Sequence, residues 1–280
     1  DPFQLDRTFK KNNSILVPQC GVAPGLSNIC VGDASRKIPS IQSVRIMVGG
    51  LPRFPKPPLN YRFVFSPDDV INEYTRSATV ISNGHSKTVP PLSGLALMRF
   101  PGVGQLEYFV TDGLGTLPKS FPSVAEMAEY TLRYPGHAML MESLRVLGLL
   151  DRTPVKIGMT MLEPRRLVLE LMRSLADATR KEDLLAFKVE VRGRKGRKPI
   201  KVTYEMLDHY DSRSKASAMA RTTAYTCTAV AHLVASGRVE EKGVVTPEQL
   251  GRVDSLFSFV RSYLATRRVR LKILSRIQPS

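Results

Sequence analysis

The stretch 108–138, which reads YFVTDGLGTLPKSFPSVAEMAEYTLRYPGHA, constrains the fold of this protein more than any other segment. Two strand-like runs, at 105–111 and 128–133, flank a turn that is rich in Gly and Pro. Pro135-Gly136 then interrupts the sequence before an apolar-periodic run at 137–147. The segment therefore predicts two strands joined by an irregular loop and followed by a helix.

Polar side chains are crowded into these same turns, namely Asp112, Arg133, Tyr134 and His137. Loops that hold polar groups at the ends of strands and helices are common places for substrate sites. Gly, Pro and Asp also serve in ordinary turns, so the local pattern allows a site or a plain connection.

Strand-like and helix-like periods recur along the rest of the sequence. The further predicted strands are 14–19, 41–48, 60–65, 78–82, 87–89, 184–192 and 200–209, and the further predicted helices are 26–37, 164–178, 215–235 and 253–265. Together they predict an α/β fold of the α+β kind, in which helices cover a mixed, largely antiparallel sheet.

Three local signals fix the ends of these elements. Ser66-Pro67-Asp68-Asp69 is typical of a helix start, with a capping serine, proline at the first position and two acids near the positive end of the dipole. Asn83-Gly84 predicts a tight hairpin turn. Within the polar run 208–211, Asp211 and the following Ser212 are expected to cap the helix at 215–235.

The net charge of +16 is concentrated in two segments. Residues 188–201 carry seven basic and one acidic residue, and residues 252–280 carry the same numbers. The first segment is expected to be a solvated hairpin that turns through Gly193-Arg-Lys-Gly196, and the second a short helix with a basic, strand-like end. The first segment contains no aromatic residue for base stacking, the aromatic residues of the second lie on its predicted amphipathic helix, and no nucleic-acid-binding motif is present. The sequence therefore does not predict a specific nucleic-acid partner.

The cysteines and the apolar helices argue against a metal-binding, a secreted or a membrane-spanning protein. Cys20, Cys30 and Cys227 share no metal-ligand spacing, so no metal site is predicted. A sparse, odd number of cysteines favours a reducing cytoplasm over a secreted disulfide framework. The most apolar helix, 216–234, contains Arg221 and is expected to be a buried helix, so no membrane span is predicted.

Five segments, in this order, carry a resemblance to a known family: VPQCGVAPGLSN (17–28), VGGLPRFPKPPLNYRFVF (48–65), TDGLGTLP (111–118), TLRYPGHA (131–138) and SRSKASAMARTT (212–223). They resemble the substrate-domain half of the saccharopine dehydrogenase family, and its lysine 6-dehydrogenase branch most of all. The resemblance implies an amino-acid dehydrogenase that uses NAD or NADP, acts on a small amino-acid substrate and forms a homodimer.

The glycine-rich fingerprint of a dinucleotide-binding domain, G-x-G-x-x-G, does not occur in the sequence. By resemblance, residues 1–37 are expected to be the last strand and helix of an otherwise absent dinucleotide-binding domain. Residues 38–211 would then form the substrate-binding and dimerisation domain, and residues 212–280 the C-terminal helices with a basic tail.

The same resemblance places Gln19, Cys20 and Gly21 opposite the nicotinamide, because ligands of doubly wound folds lie beyond the carboxyl ends of strands. A plain strand-to-helix turn fits these residues equally well. Cys20 can also be a buried, inert thiol.

The substrate implied by resemblance, L-lysine, needs an anchor for its α-carboxylate. Arginine suits that role because its planar fork can bind both oxygens. Arg62, beside Tyr61, and Arg133, beside Tyr134, are the candidate substrate-binding residues, and a solvated arginine on a sheet face is the alternative for each.

The reaction also needs a base, because only a neutral ε-amine has the lone pair that stabilises the developing iminium. His137 is one candidate, since the positive potential of a helix N-terminus keeps an imidazole neutral. Asp112, next to Gly113 of the substrate loop, is the second candidate, and a turn-capping role is the alternative for both. Glu73 and Tyr74, on the predicted helix after Ser66, are second-rank candidates for the site.

The reaction implied by the resemblance is oxidative deamination of L-lysine at the ε-carbon to 2-aminoadipate 6-semialdehyde, with NAD. The alternatives are a saccharopine dehydrogenase, and a non-catalytic fragment or basic binding module that keeps only the scaffold.

Overall fold

The computed structural model describes residues 1–177 and 181–277. After a short 3₁₀ helix at Pro2–Leu5, the α-helices are α1 (Asp6–Lys11), α2 (Leu26–Lys37), α3 (Pro67–Thr75), α4 (Leu117–Ser120), α5 (His137–Val146), α6 (Pro164–Asp177), α7 (Ala218–Ala235), α8 (Pro247–Gly251) and α9 (Asp254–Thr266). The strands are β1 (Ile15–Leu16), β2 (Ser40–Pro52), β3 (Ala78–Ser82), β4 (His85–Val89), β5 (Ala96–Phe100), β6 (Gly104–Thr111), β7 (Glu126–Arg133), β8 (Val155–Ile157), β9 (Thr160–Leu162), β10 (Asp183–Lys195), β11 (Lys198–His209), β12 (Gly243–Val244) and β13 (Lys272–Ile277).

A nine-stranded sheet forms the centre of the described structure, with the order β13-β11-β10-β2-β7-β3-β4 and with β6 and β5 branching from β7. Within this sheet β2 and β7 run parallel, and the other described pairs run antiparallel. The predicted fold class, a mixed and largely antiparallel sheet covered by helices, is confirmed.

Strand alternation divides the core between the two faces of the sheet. Val44, Ile46 and Val48 of β2 face a large apolar cluster that includes α2, α7 and α9. Met47 and Leu51, on the opposite face, join a smaller cluster that also contains residues of β5, β6 and β10. A third cluster joins α3, α5 and α6 beside Phe109 and Tyr61.

Carboxylates from distant strands cap two of the helices that matter for the site. Glu107 of β6 accepts hydrogen bonds from the backbone N–H groups of Gly136 (2.8 Å) and Ala138 (2.5 Å), at the start of α5. Asp183 of β10 accepts from Ala218 N at 2.7 Å, at the start of α7. These bonds satisfy helix donors that would otherwise be orphaned.

The predicted caps of α7 are wrong. The helix begins at Ala218, and Ser217 Oγ accepts from Ala220 N at 3.1 Å. Asp211 instead closes a local turn, where it accepts from Arg213 N at 3.2 Å. Arg221 then ties α7 back to β11, because its Nε donates to Asp208 at 2.9 Å.

The predicted strand at 60–65 is also wrong, since this segment has no strand partner in the described structure. Asn60, at its first position, adopts a left-handed conformation with φ 50°, which is not a strand conformation, and it follows a segment that Pro55, Pro57 and Pro58 make unsuitable for a ladder. The predicted strand at 14–19 is reduced to β1, which pairs in parallel with β12.

Other predicted ends move by a few residues or lie outside the described residues. The basic hairpin turns at Gly196-Arg197, because Lys195 pairs with Lys198, and Gly193 lies in an irregularity of the β10–β2 register. Residue 178 of the predicted helix at 164–178, and residues 278–280 of the basic tail, are outside the described part of the sequence. None of the helices in 1–177 and 181–277 has the length and apolar character needed to cross a bilayer.

Candidate active site

A cleft opens between the loop that precedes α2, the strands β2 and β7, the segment 59–66 and helix α7. Its first chamber has a volume of about 580 Å³, and an adjoining second chamber has about 500 Å³. The two chambers share the lining residues Ala23, Pro24, Phe65, Glu73, Glu129 and Thr131. Val48, Gly50, Arg133 and Met219 line the first chamber only, and Asp69, Arg76, Asp112 and Gly113 line the second only.

The polar floor of the cleft comes from alternate residues of β7. Glu129, Thr131 and Arg133 point to one face of the sheet because strand side chains alternate. The β6–β7 register sets Thr111 opposite Glu129, so a hydroxyl lies beside the carboxylate. The floor therefore combines a guanidinium, hydroxyls and a carboxylate in one row.

Arg133 is a buried cation with a fixed orientation. Its side chain is 2% exposed, and its Nη2 forms an ion pair with Glu73. Its Nε donates to Tyr74 Oη at 3.0 Å, and its Nη1 donates to the carbonyl of Leu132 at 2.9 Å. The ring of Tyr61 lies 4.4 Å from the guanidinium carbon, which adds a cation–π contact.

A series of hydrogen bonds continues from Arg133 through Tyr74 to His137. His137 Nδ1 lies 2.8 Å from the carbonyl oxygen of Leu59, and its Nε2 lies 2.9 Å from Tyr74 Oη. A carbonyl can only accept, so Nδ1 must carry the proton and Nε2 must accept from Tyr74. The carbonyl of Leu59 therefore orients His137, His137 orients Tyr74, and Tyr74 orients Arg133.

His137 is therefore better suited to positioning Arg133 than to acting as a base. Burial, together with the charge of Arg133, lowers the pKa of His137 to about 3, and the ring is neutral at physiological pH. The N-terminus of α5 was expected to keep the ring neutral, but Glu107 caps that N-terminus. The main cause of the neutral ring is its burial. Both ring nitrogens have protein partners, and the ring is outside the lining of both chambers.

Replacing Tyr74 by phenylalanine tests this series of hydrogen bonds. The change leaves the Nε–H of Arg133 and Nε2 of His137 without their partner, and such buried groups cost about 1–3 kcal/mol each when unpaired. We expect Tyr74→Phe to lower the free energy of unfolding by that order, measured by urea denaturation. Tyr134→Phe is the matched control, because it removes a hydroxyl that bonds only Pro52 O among the described residues at a half-buried position. Equal losses in the two variants would contradict the prediction.

Glu129 was not predicted from the sequence, and it is a buried carboxylate that lines both chambers. The residue is 6% exposed, and its carboxylate accepts a hydrogen bond from the Thr111 hydroxyl, whose Oγ1 lies 2.9 Å from Thr131 Oγ1. Burial raises the pKa of Glu129 to about 8, although the bond from Thr111 opposes the rise. A group with this pKa can take up and release a proton near neutral pH.

Gly113 is required by the close approach of Glu129. A Cβ atom at position 113 would lie 2.7 Å from the carboxyl carbon of Glu129, so only glycine lets the loop pass the carboxylate. The neighbouring Asp112 is exposed at the second chamber, where its Oδ1 accepts from Thr79 N at 3.3 Å. Both residues had been predicted to belong to the site, and both line the cleft.

Comparison with known proteins shows the family of this protein. The family description "Saccharopine dehydrogenase C-terminal domain" matches residues 21–265. The chain belongs to the saccharopine dehydrogenase family.

One curated relative and one solved structure give further similarities. The chain is 26% identical over 165 residues to the mitochondrial alpha-aminoadipic semialdehyde synthase of Bos taurus, which covers 53% of this chain and 17% of that protein. It therefore spans about one sixth of that relative's length. The apo saccharopine dehydrogenase (L-Glu forming) of Saccharomyces cerevisiae superposes with a TM-score of 0.76 at 15% identity, covering 98% of this chain and 76% of that one. At that identity the likeness concerns the fold alone.

Two of the three residues that the family resemblance placed opposite a nicotinamide line the first chamber, namely Gln19 and Gly21. Cys20 is not among the lining residues, and burial next to Cys227 raises the pKa of its thiol to about 12. The thiol is therefore protonated at neutral pH and is a poor nucleophile.

The predicted substrate anchors are separated by the structure. Arg133 lines the cleft, and Tyr61 packs under its guanidinium. Arg62 and Tyr134 are outside the lining of both chambers, and the hydroxyl of Tyr134 donates to the carbonyl of Pro52 at 3.0 Å. Glu73 and Tyr74, which ranked second, are direct partners of Arg133.

No group of three or more His, Cys, Asp or Glu side chains within 1–177 and 181–277 is arranged to hold a metal ion. The charged and hydroxyl groups that the described cleft offers for chemistry come from its two arginines, its carboxylates and its threonines.

Proposed function

We propose that this protein is the substrate-binding part of a nicotinamide-dependent oxidoreductase that acts on a C–N bond in the side chain of an amino acid. L-Lysine is the proposed substrate and 2-aminoadipate 6-semialdehyde, which can cyclise, the proposed product. Membership of the saccharopine dehydrogenase family supports the reaction class, and the distribution of charge in the cleft supports the substrate.

The observation that carries the proposal is the fixed, buried guanidinium of Arg133 at one side of a cleft rich in carboxylates. An arginine has five N–H groups, and three of those on Arg133 donate to Tyr74, Leu132 and Glu73. We propose that the other two N–H groups receive the α-carboxylate of a substrate. Since the guanidinium is already oriented, little entropy is lost when the carboxylate binds.

The opposite side of the cleft suits a cationic amine. Asp69, Asp112 and Glu129 line the second chamber, and Arg76 is exposed among them. Glu129 can accept the proton of the substrate ammonium, since its pKa lies within reach of neutral pH. Loss of that proton gives the nitrogen the lone pair that stabilises the iminium as the hydride leaves.

The cofactor requires residues that these 280 do not supply. They contain no glycine-rich pyrophosphate turn, so they do not fit a whole dinucleotide. Gln19 and Gly21 line the first chamber, and we propose that they contact the nicotinamide end, which would accept the hydride. We propose that a dinucleotide-binding region beyond these residues holds NAD, or NADP, against the first chamber.

The three cysteines are all free, which agrees with the cytoplasm as the proposed location.

A second candidate is saccharopine dehydrogenase activity, which membership of the family also supports. Saccharopine carries more carboxylates than lysine, and each needs a positive partner. Among the described lining residues of the two chambers, Arg76 and Arg133 are the basic ones, against the carboxylates of Asp69, Glu73, Asp112 and Glu129. The charges therefore favour lysine.

The test compares the two substrates in the protein joined to its dinucleotide-binding region, by nicotinamide absorbance with NAD and with NADP. We expect kcat/KM for L-lysine to exceed that for L-saccharopine about 100-fold, because an unpaired carboxylate among like charges costs on the order of 3 kcal/mol. Turnover of saccharopine but not lysine would support the second candidate. Turnover of neither, with no calorimetric binding of lysine, would indicate a non-catalytic module.

A further inference from the structure

One short loop, residues 112–116 between β6 and α4, touches both chambers of the cleft. Gly113 lines the second chamber, beside the carboxylate of Glu129. Gly115 lies against Gln19, because a Cβ atom at position 115 would lie 3.1 Å from the carboxamide carbon of Gln19. Gln19 in turn lines the first chamber. We call residues 112–116 the shared loop, since its position sets the surroundings of Glu129 and of Gln19 together.

The shared loop is held from its far end by a buried carboxylate, that of Glu248 on α8. Glu248 has no exposed surface, and its carboxylate accepts hydrogen bonds from the hydroxyls of Thr116, at 2.8 Å, and of Ser120. Thr116 is the last residue of the loop and is itself buried. Hydrogen bonds to an ionised group are stronger than neutral ones, so this carboxylate fixes the turn from the loop into α4 in one orientation.

Helix α2 holds the middle of the same loop. The side-chain nitrogen of Asn28 donates to the carbonyl of Leu114 at 3.2 Å, and both residues are buried. Helices α2 and α8 touch backbone to backbone, because a Cβ atom at Gly251 of α8 would lie 2.9 Å from the backbone nitrogen of Asp33 of α2. The loop is therefore supported by two helices that are packed directly against each other.

A carboxylate is an unfavourable choice for a contact that only joins helices. Burial of an ionised carboxylate costs free energy unless donors replace the water around it, and two hydroxyls do so here. An apolar side chain could fill such a space without that cost. What the carboxylate of Glu248 adds is a fixed direction for both hydroxyls, and through Thr116 a fixed position for the shared loop.

We propose that Glu248 is a positioning residue, which holds the shared loop in place through Thr116 and Ser120. The loop then excludes water from one side of the Glu129 carboxylate and keeps Gln19 at the wall of the first chamber. The roles of Glu129 and Gln19 in a reaction rest on the proposed function, whereas the contacts that hold the loop do not.

The position of the loop should be visible in the protonation of Glu129. Burial is the main cause of its raised pKa, about 8, so a loop that moves away should lower that pKa. Asp112 moves with the loop, and the loss of its negative charge changes the pKa in the same direction. Glu73 also raises the pKa and Arg133 lowers it, and both belong to other elements, α3 and β7. The charged residues that complete the lining of this chamber are also outside the loop, namely Asp69 and Arg76.

Replacing Thr116 by valine tests the tether, because it removes one hydroxyl and keeps the size of the side chain. NMR of the carboxyl carbon of Glu129 in the whole 280-residue protein, assigned with Glu129→Gln, reports the pKa. We expect that pKa to fall by about one pH unit or more in Thr116→Val. Thr116→Ser keeps the hydroxyl and should keep the parent value. Ser120→Ala, at a half-buried position, is the milder second variant and should lower the pKa in the same direction.

Tyr204→Phe is the matched control for a general loss of stability. It removes a buried hydroxyl that donates to Asp33 of α2 at 2.6 Å, outside the shared loop, and the pKa of Glu129 should stay at its parent value. An unchanged pKa in the folded variants that lack a hydroxyl at 116 or 120 would overturn the proposal. So would an equal fall in Tyr204→Phe, or a Thr116→Ser variant that behaves like Thr116→Val.

Kinetics in the protein joined to its dinucleotide-binding region separate this proposal from the proposed function. With lysine as substrate, Thr116→Val should lower kcat about 10-fold and move the plateau of the rate to lower pH. KM should be nearly unchanged, because Arg133 keeps its partners Glu73 and Tyr74. If lysine is not turned over, the proposed function fails, while the titration of Glu129 still decides whether Glu248 positions the loop.

Discussion

Replacing Arg133 by methionine should cost this protein both stability and substrate binding. The change leaves the half-buried carboxylate of Glu73 without its cation, which should cost up to about 3 kcal/mol of unfolding free energy, the low end of the range for a buried pair. It also removes the proposed carboxylate anchor, and we expect kcat/KM for lysine to fall by about 10³-fold or more. Urea denaturation and steady-state kinetics measure the two effects separately.

The double variant Arg133→Met with Glu73→Gln separates the two roles of the arginine. Since the second change removes the unpaired carboxylate, stability should return towards that of the parent protein while kcat/KM stays low. Arg62→Met is the control, and we expect a near-normal KM because Arg62 is outside the lining of the cleft. If Arg62→Met raised KM as much as Arg133→Met, the anchor would have to be reassigned.

Local sequence was sufficient to predict most of the helices and strands around Arg133. The period of two in β7 and β10 and the apolar period of α2 and α5 are written into adjacent residues, so those elements form near the predicted positions. The alternation at 60–65 is also real, since Tyr61, Phe63 and Phe65 all pack into the cluster around α3. It does not make a strand, because a strand needs a hydrogen-bonding neighbour and local sequence does not show one.

The site itself depended on contacts between distant residues. Strand alternation could have shown that Glu129 shares a face with Arg133, four residues later, and this was the available signal for it. What local sequence lacks is the β6–β7 register that brings Thr111 to Glu129. The predicted neutrality of His137 likewise depends on contacts between distant residues, because the ring is buried beside Arg133 and Glu107 caps its helix.

Replacing Glu129 by glutamine is expected to stabilise the protein in a pH-dependent way. The pKa of Glu129 is about 8 in the folded protein, against 4.5 for an ordinary glutamate. Between these values the folded state holds a proton that the unfolded state has lost, so stability falls as pH rises, by up to about 1.4 kcal/mol per pH unit. Glutamine removes this slope, and the stability difference between Glu129→Gln and the parent should grow from pH 5 to pH 8 and then level off.

Glu126→Gln provides the matched control, because Glu126 lies on the same strand but is exposed. Its stability should follow that of the parent protein at every pH, as measured by urea denaturation.

In the assay with lysine, the parent rate should rise with pH and reach a plateau above about 8, since the base must lose its proton before it can act. Glu129→Gln should lower kcat by about 10²–10⁴-fold and abolish that rise. A variant that gained stability as expected but kept the parent's kcat and pH profile would leave Glu129 as a buried structural acid, and the base would then be Asp112, the other candidate carboxylate of the second chamber.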